Sequence, residues 1–182
     1  MKRLSMVMAL FMGLAMVTVA YAERIYATLT GSEEVPVVNT DASGELRGMI
    51  SRDDSSIDYE LTYSGLQGIV TQAHIHVAQP NVNGGIVIWL CGTNGTTEPP
   101  IAPPTPGPAG TPTCTPGSGI FTGTITAANV VAITGANAGQ QIGNGDFEAV
   151  IAAMRAGNAY ANVHTNLSPG GEIRGQIRAS SR

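Results

Sequence analysis

The sequence predicts an all-β fold: an antiparallel two-sheet sandwich or flattened Greek-key barrel of about eight strands, with one short helix. Three observations point there. Short β-branched and aromatic stretches alternate apolar and polar residues, the pattern of half-buried strands. The chain holds 23 Gly and 11 Pro but only 12% charged residues, which suits many turns between short strands. The segments Gly44-Glu-Leu-Arg-Gly48-Met-Ile50, Gly119-Ile-Phe-Thr-Gly123-Thr-Ile125 and Gly171-Glu-Ile-Arg-Gly175-Gln-Ile177 share inward glycines at alternating positions. Glycine inside a strand marks a bend or a close backbone approach, as at a barrel corner.

The elements follow in order. Lys2 and Arg3, the apolar run Leu4 to Val19 and the small-x-small triplet Ala20-Tyr21-Ala22 form a secretory signal peptide over residues 1–22. Residues 23–182 then form one exported domain, periplasmic or extracellular, with no transmembrane segment after cleavage. Arg24 to Thr30 reads as the first strand, Gly44 to Ile50 as the second, and Ile57 to Tyr63 as its hairpin partner across the Asp53-Asp54-Ser55-Ser56 turn. Thr71 to Ala78 is a strand that carries two histidines. Gly85 to Cys91 is continuously apolar and is expected to be central and fully buried. Ser118 to Thr126 returns to strand, and residues 127–145 give no clear pattern. Asp146 to Gly157 is the one helix signal, with Asp146 as N-cap, Gly157 as C′ residue and Phe147, Val150, Ile151 and Met154 as its apolar stripe. Ala159 to Thr165 and Gly171 to Arg178 are the last two strands.

Charge and cysteine usage narrow the function classes. The net charge is −4, and signal cleavage removes Lys2, the sole lysine. An acidic, lysine-free chain excludes a nucleic-acid partner. Cys91 and Cys114 are the two cysteines. In an oxidising compartment they are expected to pair and to close the Pro-rich loop at residues 92–113, stabilising the fold by roughly 3 kcal/mol in the chain-entropy picture. No Gly-x-Ser-x-Gly elbow or phosphate-binding loop occurs, so no catalytic residue is assigned.

All three histidines fall on positions that alternation places on the outer face: His74 and His76 with Ala73, Ile75 and Val77 inward, and His164 with Ala159, Ala161 and Val163 inward. Imidazole suits copper and zinc. A His-x-His pair on a strand with a third histidine nearby makes a three-nitrogen set with open positions. Glu172 and Arg174 occupy the same face of the last strand, where they could act as second-layer partners of His164 or form a plain surface ion pair.

Gly65-Leu66, Ala73-His74-Ile75-His76, Tyr160-Ala-Asn-Val-His164-Thr165 and Pro169-Gly-Gly-Glu-Ile-Arg-Gly-Gln-Ile177 together resemble the signature of the chordin-type domain, CHRD. The resemblance runs from about Tyr26 to Arg178. It implies a secreted β-domain acting as a non-enzymatic binding or structural module toward an extracytoplasmic protein, glycan or surface partner. The order of Gly-Leu, His-x-His and late Val-His also resembles copper–zinc superoxide dismutase, a β-sandwich family whose copper ligands match His74, His76 and His164 in position. The chain lacks a fourth histidine for that copper site and a histidine–aspartate cluster for its zinc. The alternative to the binding module is therefore a copper- or zinc-binding, redox-related protein without the dismutase's full site.

Overall fold

A computed structural model describes residues 22–93 and 106–180. Residues 1–21 of the signal segment and most of the Pro-rich loop lie outside the described residues.

Nine strands form one antiparallel sheet: β1 (Glu23–Thr30), β2 (Ser43–Ile50), β3 (Ser56–Ser64), β4 (Val70–Val77), β5 (Gly85–Gly92), β6 (Gly119–Thr126), β7 (Ala159–Thr165), β8 (Ile173–Gln176) and the two-residue β9 (Arg178–Ala179). Their order is β5-β4-β7-β8-β1-β2-β3-β6, with β9 beside β1. The sheet curls almost into a barrel, so the two expected layers are halves of one continuous sheet. The all-β prediction and most strand boundaries hold to within two residues.

Alternation drives the folding of each strand. Ile25, Ala27 and Leu29 of β1 face inward and are 2% exposed or less, while Arg24, Tyr26 and Thr28 face out. Leu46 and Ile50 of β2 and Ile57 and Leu61 of β3 join them at 0% exposure. Each such side chain contributes about 1.5–3 kcal/mol by leaving water. The helix α1 (Phe147–Arg155) buries Phe147, Val150, Ile151 and Met154 against this core. The Ala149 N–H donates to Asp146 at its N-terminus, and Gly157 follows in the left-handed region at φ 70°. Arg155 clamps the helix to the barrel through Glu23 at 2.9 Å and Asp54 at 2.7 Å.

Two expectations need correction. The apolar strand β5 is not central: it ends the sheet and pairs only with β4 among the strands. Its apolar character comes from what covers it. The Val131 N–H donates to the Val87 carbonyl, the Gly85 N–H to Gln140 Oε1, and Gln140 Nε2 to the Val77 carbonyl. The segment 127–142, built on two 3-10 turns (Ala127–Asn129 and Gly135–Gln140), thus shields the edge. The last predicted strand, Gly171 to Arg178, is split, with β8 and β9 separated at Ile177, whose N–H turns back to Ala159.

Cys91 and Cys114 form the expected disulfide, with Cα atoms 5.0 Å apart. Gly92 bonds to Pro112 and Cys114 on either side of it, which pins both ends of the loop beside β5.

The inward glycines mark close approaches. A Cβ on Gly175 would collide with the backbone carbonyl of Thr28, where β8 crosses to β1. Gly175→Ala should therefore cost about 1–3 kcal/mol in urea denaturation. Gly143→Ala, which meets open space, should cost far less. Equal effects of the two changes would contradict this account of the barrel corner.

Candidate metal centre

The site is assembled by the pairing of β4 with β7. His74 sits opposite Asn162 and His76 opposite Tyr160, while His164 lies two pairs further along on the same face, opposite Gln72. Diagonal neighbours on one face of a sheet remain within reach of long side chains. On the other side of β4, register shifts between Ala73 and His74 and between Ile75 and His76 interrupt the ladder to β5. Such bulges re-aim side chains.

The three imidazoles meet. One ring nitrogen from each lies within 4.8 Å of the other two. His74 Nδ1 is 3.3 Å from His164 Nε2. His76 Nδ1 is 2.9 Å from the Gly84 carbonyl and His164 Nδ1 is 3.0 Å from the Pro169 carbonyl. A carbonyl only accepts, so each of these two rings carries its proton on Nδ1 and presents the Nε2 lone pair. The proton between His74 and His164 must then be on His74. His74 Nε2 and His76 Nε2 are buried and have no hydrogen-bond partner.

The histidines are outward with respect to the apolar core, as alternation predicts, but they are not on the surface. His74, His76 and His164 are 0%, 7% and 6% exposed. The turn at residues 79–85 and the segment at residues 31–42 fold over this half of the sheet and make a second, polar layer. Trp89 packs edge-on against His74 at 4.3 Å, and Tyr160 stacks on His76 at 4.6 Å. A cleft of about 460 Å³ runs from solvent to His76, lined by Gly84, Trp89 and Ile133 among others.

Glu172 and Arg174 are drawn into the same layer in different roles. Glu172 is fully buried and accepts from Thr40 Oγ1, the Gln67 N–H and Thr165 Oγ1, so it ties two loops to the end of β7. The Arg174 guanidinium lies 3.4 Å over the Tyr160 ring and donates to Asn83 Oδ1 and the Val82 carbonyl. It is one ring removed from His76. The spacing Glu45–Arg47 on β2 does make a plain exposed ion pair, at 2.8 Å.

Four participants were not singled out from sequence. Tyr160 and Asn162 share the outward parity of His164, so alternation already placed them beside it. Trp89 is half-buried and borders the cleft from β5. Glu34 had no signal: it arrives from a loop, 4% exposed, and takes the space where Gly171, at φ 123°, would carry a Cβ.

The CHRD domain family model matches residues 25–177, from β1 to the end of the barrel. The chain belongs to the CHRD-domain family. No curated protein and no solved structure matches it. The histidine strand, the Tyr160–Thr165 strand and the closing Gly-Gly-Glu-Ile-Arg segment of this CHRD domain are thus the elements that build its polar layer. Among the described residues, no helix is long and apolar enough to cross a membrane.

Burial sets the protonation of the layer. It pushes His76 and His164 down to about 4 and His74 well below its usual range, with the neighbouring imidazoles adding to the shift for His74. Burial raises Glu34 to about 7, against the opposing pull of Arg174. A histidine lowered on folding contributes stability that is present above about 6.5 and lost as pH falls through about 4. His76 and His164 should each withdraw ~3 kcal/mol across that window. Glu34 works the other way, its contribution being present in acid and lost as pH rises through about 7. The metal-free CHRD domain should therefore lose stability between pH 7 and pH 4.5 in urea titrations, and Glu34→Gln should lose it more steeply. Stability that is flat or rises on acidification would contradict the buried, neutral histidines.

Proposed function

We propose that this protein is an exported, extracytoplasmic CHRD module, residues 23–182 after removal of a signal peptide, which acts by binding rather than by catalysis. The observation that carries this reading is the contrast between the two halves of the sheet. The outward face of β4, β7 and β8 is covered, whereas that of β1, β2, β3 and β6 is open. Tyr26, Arg47, Glu60 and Thr122 align across the open half, with Thr28, Glu45, Thr62 and Ile120 in a parallel row. Tyr26 is 48% and Ile120 73% exposed. An exposed, mixed surface of aromatic, aliphatic and oppositely charged groups is a platform for a protein, glycan or surface partner.

A photo-cross-linking residue at Tyr26 or Ile120 should trap adducts from the exported protein in its own envelope or medium. The same probe at Leu167, exposed on the turn between β7 and β8 and outside the open face, should not. Adducts from Leu167 alone would move the binding surface elsewhere. N-terminal sequencing of the exported form should begin at Glu23.

A second reading, a copper- or zinc-binding and redox-related protein, is favoured by one observation: the convergence of His74, His76 and His164. Two of the rings have Nδ1 tied to backbone carbonyls, the arrangement that fixes a metal-ligating histidine in its useful tautomer. Metal analysis of the purified protein should then return copper or zinc near one equivalent, absent from His74→Ala. A metal content that is unchanged in His74→Ala would dismiss the triad as its holder.

A further inference from the structure

Resting on that second reading, we propose that the histidine cluster is a site for a monovalent copper ion, held by His74 Nδ1, His76 Nε2 and His164 Nε2, and that it discriminates against zinc and other dications. The ligand atoms follow from the geometry. His74 Nδ1 and His164 Nε2 face each other 3.3 Å apart, and binding moves the His74 proton from Nδ1 to the ring's open Nε2. Two ligands of one ion, each about 2.0–2.1 Å from it at a near-tetrahedral angle, have about that separation. His76 must contribute Nε2, because its Nδ1 is taken by the Gly84 carbonyl. The unpartnered, buried Nε2 of His76 is thus a lone pair directed into the cluster with nothing to receive it.

The charge of the ion follows from what surrounds it. The donors are three neutral imidazoles, and the cluster includes no carboxylate. Of the buried carboxylates in the layer, Glu172 accepts from Thr40, Gln67 and Thr165, and Glu34, whose Oε1 has no partner, lies against Gly171 under the field of Arg174, outside the three-nitrogen set. The nearest fixed charge on the other side of Tyr160 is positive, the Arg174 guanidinium, itself 1% exposed. The cost of burying an ion grows with the square of its charge, so a dication is penalised about fourfold more than a monocation. Its repulsion from Arg174 is doubled as well. Coordination number points the same way. Zinc takes four ligands, so beside three histidines it must also draw a water through the cleft into this buried layer. Copper in its lower oxidation state is content with three nitrogens and needs no anion to complete its shell. The cleft at His76 and Trp89 gives the ion a way in.

The test is a set of metal competitions on the exported protein. Ascorbate under nitrogen keeps copper monovalent and leaves the Cys91–Cys114 bridge closed. One equivalent of copper(I) should be withdrawn from bicinchoninate, and zinc, measured against a chromophoric zinc dye, should bind at least roughly a hundredfold more weakly. Arg174→Met, which keeps a long side chain on Tyr160, should narrow the gap between the two metals about tenfold without abolishing copper binding. The triple variant H74Q/H76Q/H164Q should release copper(I). Zinc or copper(II) bound as tightly as copper(I) would overturn the charge selection and leave the metal reading standing. No retention of any metal would overturn both. Copper(I) retained by the triple variant would place it away from the histidines and overturn the proposal.

Discussion

The register between β4 and β7 is the constraint on which the other features depend. Each of these strands is packed on both faces. All seven residues of β7 are buried, apolar ones toward the core and Tyr160, Asn162 and His164 toward the polar layer. Side chains alternate with a period of two, so a slip of β4 by one residue would send His74 and His76 into the hydrocarbon core and Ala73 and Ile75 into the polar layer, and a slip of β7 would do the same with His164 and Val163. Neither exchange is tolerable, since a buried polar group without a partner costs kilocalories. The pairing is therefore over-determined from both sides. That rigidity lets ring nitrogens be held at defined separations with few other supports.

The polar layer is unusual in what it leaves unsatisfied. Most buried polar atoms in proteins are hydrogen-bonded. Here Glu34 Oε1, His74 Nε2, His76 Nε2 and Asn162 Oδ1 are buried without partners. They belong to residues of one layer, not to scattered sites. By contrast, Glu172, in the same layer, has both oxygens occupied by hydrogen bonds. A layer that satisfies one carboxylate so thoroughly and leaves its imidazole nitrogens open is tuned for something other than stability alone.

Period-two alternation made the strands legible in sequence, and with them the facing of all three histidines. The helix was legible because Asp146 and Gly157 bracket a clean apolar stripe. Two kinds of information were not. The continuous apolar run of β5 reports burial on both faces, but burial by a neighbouring strand and burial by a loop such as 127–142 look identical in one-dimensional sequence. The same holds for the histidine face. Alternation gives the direction of a side chain and cannot say whether a loop returns to cover it, so the burial of His74 came from long-range chain paths. Glu34 is the extreme case, a loop residue whose only sequence correlate is a glycine at position 171, far along the chain.

The disulfide has a consequence for how the chain can vary. Its Cα atoms stand 5.0 Å apart, at the open seam where β5 leaves the sheet and the chain later returns as β6. The stem is locked by the covalent bond and by the hydrogen bonds of Gly92, so the barrel experiences the same boundary whatever chain runs between the two sulfurs. The entropy of closing a loop rises only with the logarithm of its length. The interval from Gly92 to Thr113 is thus a natural insertion port. Peptides, epitopes or whole small domains could be spliced there, and evolution could lengthen or rewrite it, provided that the stem at Gly92 and Pro112 and the contact of Gly107 with Trp89 are kept.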